Sequence, residues 1–129
     1  MIDTRAAGRG GEESAAEYLI KKGYRILYRN FRYGRYGEVD IIAKQADVLC
    51  FVEVKSRTNV RYGLASESVG HKKRIKILAV ASHFLKINGL GDQKTRFDIL
   101  EIYYNKTNPV DGRREINKIR HIENAFGAE

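Results

Sequence analysis

Residues 37–57 read GEVDIIAKQADVLCFVEVKSR, two apolar runs joined by a polar step at residues 45–47. Such a pattern is that of a buried β-hairpin. Three ions interrupt it. Asp40, Glu53 and Lys55 stand among residues that have to be buried, and a charge moved into a protein interior costs several kcal/mol unless it is paired. Strand side chains alternate between faces, so Phe51, Glu53 and Lys55 share one face while Val52 and Val54 share the other. A hairpin turning between Ala46 and Asp47 sets Asp40 opposite Glu53, with Cβ atoms roughly 5 Å apart if the two share a face. Carboxylates that close repel one another unless a cation lies between them. Mg²⁺ typically binds through one or two carboxylates and keeps several waters, so Asp40 and Glu53 are predicted to form a cradle for Mg²⁺ or Mn²⁺. Lys55 is then placed to orient or deprotonate a water and to offset charge developing on a phosphate.

The rest of the chain sets the frame. At 129 residues and 43% hydrophobic content it suffices for one core, so one domain is expected over 1–129, with flexible ends at about residues 1–8 and 124–129. No apolar run is long enough to span a bilayer and the N-terminus lacks a signal-peptide h-region; a cytoplasmic protein with no membrane association is expected. Cys50 is the single cysteine, which excludes an internal disulfide and a cysteine-clustered zinc site and leaves it a small core residue.

Helical periodicity predicts a first helix over residues 10–23, closed by a basic turn and glycine, with Ala15, Ala16 and Leu19 on its apolar stripe. Three strands follow at about 24–33, 37–44 and 48–57, with turns at Gly34 and at 45–47. Ile77, Val80, Ala81 and Phe84 recur at helical spacing and predict a second helix over 66–87. Strands at 96–104 and 115–122 flank a loop that holds the only proline. The order αβββαββ calls for an α/β fold, a mixed central sheet flanked by helices.

Lys and Arg outnumber Asp and Glu by 24 to 16, a formal net charge of +8, which points to a phosphate-rich partner. Arg25, Arg29, Arg32 and Arg35 alternate with Tyr24, Tyr28, Phe31, Tyr33 and Tyr36. Arginines can grip phosphates while aromatic rings stack on unpaired bases, although alternate aromatics in such a run also suit the core of a strand. A second basic block, HKKRIK at 71–76, opens the second helix, where cations oppose the macrodipole and an anion would relieve them. Arg32, Arg35, Lys72, Lys73 and Arg74 are therefore expected to contact nucleic acid, as are Arg57 and Tyr62 in and beyond the third strand. Asp98 is expected to be structural, paired with Arg96. His71, His83 and His121 show no ligand spacing.

The order Asp40, then Glu53-Val54-Lys55, resembles the D…ExK core of the PD-(D/E)xK nucleases, the restriction-endonuclease-like superfamily that includes archaeal-type Holliday junction resolvases. More closely, the blocks GRGGEESAAEYL, GYRILYRNFR, GEVDIIA, FVEVKSR, RFDIL and HIENAF resemble the YraN family of small bacterial proteins, nearly end to end. The resemblance implies a restriction-endonuclease-like three-layer sandwich with Asp40, Glu53 and Lys55 as signature residues. It adds Glu12 as the acidic residue of the first helix and Glu38 as an outer-shell acid that could equally pair with Arg35. Val39 stands where the superfamily name has proline. The activity implied is metal-dependent endonucleolytic cleavage of DNA, on branched or otherwise non-B-form substrates. The alternative is a nucleic-acid-binding module of the same fold without catalysis, and a third is an RNA-associated basic protein. By analogy with resolvases, which cut paired strands, a homodimer is expected.

Overall fold

The structure, a computed structural model, describes residues 10–57, 69–105 and 115–127. Helix α1 covers Gly10–Lys21, with Glu12 and Glu13 in its first turn and Lys21 in its last, charges placed to complement the macrodipole. Gly23, at φ 92, ends it: the Tyr24 N–H donates to the Leu19 carbonyl at 2.9 Å, the glycine-dependent closure of a Schellman motif.

Strands β1 (Arg25–Tyr33), β2 (Gly37–Gln45) and β3 (Val48–Arg57) form an antiparallel meander. Helix α2 (His71–Ile87) then leads to β4 (Lys94–Tyr104), which runs parallel to β3, and β5 (Ile116–Phe126) returns antiparallel to β4. The spatial order β1-β2-β3-β4-β5 follows the chain. Ala15, Ala16 and Leu19 of α1 pack on Ile41, Cys50, Val52, Leu100 and Ile102. On the opposite face Ile77, Val80, Ala81 and Phe84 of α2 pack on Val39, Ile42, Phe51 and Ile99. The result is the three-layer α/β sandwich, in the order αβββαββ, expected of a restriction-endonuclease-like domain.

Two boundaries differ from the periodicity. Helix α2 begins at His71, because Val69 is buried outside the helix and Gly70 takes an extended conformation as its N-cap; residues 66–68 lie outside the described residues. Strand β5 runs to Phe126 instead of fraying at 124. Phe126 pairs with Phe97, its ring 5.4 Å from that ring, and the Asn124 N–H donates to Asp98 Oδ1 at 2.9 Å. The block NAF lacks strand alternation, so only tertiary partners mark it as ordered.

Asp98 is fully buried on the α1 side. Arg96 donates to both its oxygens at 2.9 Å, and His121 Nε2 lies 2.8 Å from Oδ2. Burial alone would raise its pKa, but the donors from His121, Arg96 and Asn124 outweigh that and hold it below the usual carboxylate range. Asp98 is thus structural, as its sequence context suggests. Asp98→Ala strands Arg96 and is expected to cost about 3–5 kcal/mol, the scale for breaking a buried charged pair, measured by urea denaturation. Because this pKa is depressed in the folded state, the stability contributed is complete above the unfolded carboxylate range and is lost as pH falls from there through the lower folded pKa. Wild type should therefore weaken below about pH 4, and the variant should show a shallower acid slope.

The β2–β3 turn has Gln45 opposite Val48 and Ala46 at φ 53. That left-handed conformation costs a non-glycine residue about 1–2 kcal/mol, of which glycine's larger unfolded-state entropy takes back about 0.5–1 kcal/mol. Ala46→Gly is expected to raise stability by roughly 0.5–1 kcal/mol, read as an upward shift of the denaturation midpoint.

Candidate functional site

The site grows from a break in the alternation of β2. Val39 and Ile42 face the α2 core, whereas Ile41 and Ala43 face the α1 core, so the faces slip by one residue at Asp40. The β2–β3 ladder ends at the same place, with Ile41 opposite Val52 as its last pair. Beyond it the Val54 N–H donates to Asp40 Oδ2 at 2.8 Å. The register is the one the turn predicts, but Asp40 does not face Glu53 as the next ladder pair. Its carboxylate is turned into the seam where the strands part and takes over an amide that the ladder leaves behind.

Asp40 is only 9% exposed and Glu53 4%. Burial raises the Asp40 pKa to about 7, and the Glu53 carboxylate adds to the rise. The Val54 amide and Lys73 oppose it, while Glu12 pushes the same way as Glu53. Asp40, Glu53 and Glu12 therefore share one field, assembled from β2, β3 and α1. Gly11 makes the approach of α1 possible: a Cβ there would run into Ser56 Oγ. With the helix seated so closely on β3, Glu12 is half buried and its Oε2 is a buried acceptor with no hydrogen-bond partner.

Glu53 is held by cations. Lys55 Nζ lies 3.6 Å from Glu53 Oε1, and Lys73 Nζ makes a shorter ion pair with the same oxygen. Lys55, 28% exposed, has its pKa lowered by burial and then by Lys73. Burial works against the Lys73 ammonium too, but its bond to Glu53 more than reverses this and raises its pKa. Lys73, expected from its basic block to contact nucleic acid, joins the carboxylate cluster from a separate element.

The other basic residues divide. Arg32, Arg35 and Lys72 are exposed, and Arg32 lies 3.7 Å from Glu38, its partner across the β1–β2 ladder. Glu38 thus pairs with Arg32, not with Arg35. Arg57 donates to the fully buried Glu101 at 3.1 Å, and Tyr103 also hydrogen-bonds Glu101. Arg74 donates to the Val69 carbonyl at 2.8 Å and lies over the Phe126 ring. Arg57 and Arg74 are therefore committed to internal partners. Tyr62 lies outside the described residues. A cavity of about 340 Å³ between α2 and the end of β5, lined by Arg74, Ile75, Leu78 and Phe126 among others, includes none of the carboxylates.

Among the described residues no three His, Cys, Asp or Glu side chains stand close enough to form a metal-binding group. The donor set still suits a hydrated Mg²⁺ or Mn²⁺, which asks for one or two carboxylates and fills its remaining positions with water. An ionised Asp40 next to Glu53, together with the unpartnered Glu12 Oε2, is an acceptor-rich group that a dication would neutralise. With its folded pKa raised above the unfolded value, Asp40 favours the folded state most below about pH 4, and that contribution disappears as pH rises through about 7. Metal-free wild type should accordingly lose stability between pH 5 and pH 8. Asp40→Asn should flatten that dependence and, at pH 8, raise stability by on the order of 2 kcal/mol, as thermal denaturation in EDTA would show.

The model of the uncharacterised protein family UPF0102 matches residues 11–102. A UPF0102 protein of Clostridioides difficile is 42% identical over 97% of this chain and 100% of its own length. One from Acetivibrio thermocellus is 43% identical over 95% of this chain and 92% of its own, and one from Persephonella marina 42% identical over 92% and 91%. Among solved structures, Pyrococcus furiosus SfsA in complex with Ca²⁺ superposes with a TM-score of 0.40 at 16% identity, covering 92% of this chain and 64% of that one. No helix among the described residues is long and apolar enough to cross a membrane. With a family match over most of its length and relatives above 40% identity nearly end to end, the chain belongs to the UPF0102 family, the YraN family whose sequence blocks it carries.

Proposed function

We propose that this chain is a metal-dependent DNA endonuclease that hydrolyses phosphodiester bonds, with branched or otherwise non-B-form DNA as its substrate. The observation that carries the reading is the cluster at the β2–β3 seam: two buried carboxylates, a third with an unpartnered oxygen, and a half-buried lysine beside them. Asp98, by contrast, has a donor for each of its oxygens. Asp40 and Glu53 would hold Mg²⁺ or Mn²⁺, with Glu12 completing or buttressing the set, and the ion would supply Lewis-acid stabilisation of the phosphate. Lys55, its proton affinity lowered by burial, is suited to position or deprotonate the attacking water. Lys72 at the start of α2 and Arg32 near the end of β1 are exposed and suited to the DNA backbone. A homodimer would allow paired cuts across a junction.

A second reading is favoured by the Lys73–Glu53 ion pair: a DNA-binding module in which Lys55 and Lys73 neutralise Glu53 and no chemistry remains. Labelled four-way junctions, flaps, single strands and duplexes incubated with protein and Mn²⁺ separate the two. The nuclease reading expects metal-dependent cuts, abolished by Asp40→Asn and reduced at least about a hundredfold by Lys55→Ala, with DNA binding retained by both variants. Binding without cleavage across a series of divalent metals would establish the module instead. A preference for RNA over DNA at matched salt would reject both in favour of an RNA-associated protein.

A further inference from the structure

The β1–β2 turn builds a stack of rings that the carboxylate cluster does not use. The Tyr36 N–H donates to the Tyr33 carbonyl at 2.9 Å, and Gly34 and Gly37 take φ 48 and φ 136. This tight turn brings the two tyrosines together, ring centroids 4.9 Å apart and planes 18° from parallel. On α2, His83 lies against Tyr33 with centroids 3.5 Å apart and planes 4° from parallel. Tyr33 is the shared member of both stacks, and Tyr36, the outer ring, is 58% exposed. A core would bury such a ring; here it lies at the surface against Tyr33, which His83 backs in turn. Its surroundings are cationic. Arg35 precedes it and is exposed, and the stem of Lys76 of α2, also exposed, lies beside Gly37. The nearest acid in the turn region, Glu38, faces Arg32.

We propose that Tyr36 is the stacking platform for an unpaired base of single-stranded DNA flanking the cleavage point. The inference deepens the nuclease reading and rests on it for the position of the strand. Helix α2 carries both Lys73, at the carboxylates, and His83, under the stack; ten residues at about 1.5 Å each separate them by roughly 15 Å, a span within the few nucleotides that a single-strand site covers. Every base offers a π-face, so the platform is indifferent to sequence, while Arg35 and Lys76 supply the phosphate attraction that a backbone leaving the site requires. The substrate class follows: DNA with a single-stranded or splayed arm, in preference to a continuous duplex.

The test is binding in EDTA, where cleavage plays no part, of the full chain to a fluorescein-labelled oligothymidylate and to a blunt duplex of equal length at fixed salt. Tyr36→Ala is expected to weaken single-strand binding about tenfold or more, the lower range for loss of one base–aromatic stack, and to leave duplex binding unchanged, while Tyr36→Phe keeps wild-type affinity. An equal loss on both DNAs, no loss on either, or a loss in Tyr36→Phe matching that of Tyr36→Ala overturns the platform. Absence of cleavage with Mn²⁺ would count against the nuclease reading alone, since these affinities are measured without metal.

Discussion

One amide organises the seam where β2 and β3 part. The Val54 N–H stands just past the last β2–β3 ladder pair and would be left without a partner as the strands separate; the Asp40 carboxylate accepts it at 2.8 Å. Burying an unpaired backbone donor is costly, so the seam can open only because a side chain replaces the missing strand. That replacement draws Asp40 out of the plane it would have shared with Glu53. It also leaves an acid where water is scarce, and the local field follows from that.

The chain contains two contrasting kinds of buried acid. Asp98 has a donor for each oxygen, and its pKa is lowered despite burial. Asp40 has one amide and two acidic neighbours, and its pKa is raised to about 7. The fold thus has the means to satisfy a carboxylate fully, and does so where the role is to fasten β4 to β5. At the seam it gathers like charges and offsets them only in part, through Lys55 and Lys73 on Glu53. That contrast in environment, with desolvation and like charge on one acid and full hydrogen bonding on the other, is what the proposed function rests on. The cluster is also composite: α1 brings Glu12 through the contact allowed by Gly11, and α2 brings Lys73.

Basic residues that look alike in sequence have different tasks. Arg57 and Arg74 are occupied by Glu101 and the Val69 carbonyl, whereas Arg35, Lys72 and Lys76 are exposed. The aromatic run divides in the same way: Tyr24 is buried, Phe31 packs on Phe84, and Tyr36 is left outward. Net charge counts these residues alike, but the geometry separates those bound to internal partners from those left exposed.

The sequence by itself determined what depends on local periodicity: the helices around Leu19 and Phe84, the hairpin turning at Ala46, the register that sends Asp40 and Glu53 to one end, and the joint face of Glu53 and Lys55. These follow from side-chain alternation and turn chemistry within a single segment. Tertiary structure alone decided that Asp40 turns into the seam, that Lys73 and not only Lys55 neutralises Glu53, that His121 grips Asp98, that β5 stays ordered to Phe126, and that His83 slides beneath Tyr33. Each of those is a contact between different elements. Their partners are chosen by how strands part and pair and how two helices seat on the sheet, which no spacing of residues within one segment encodes.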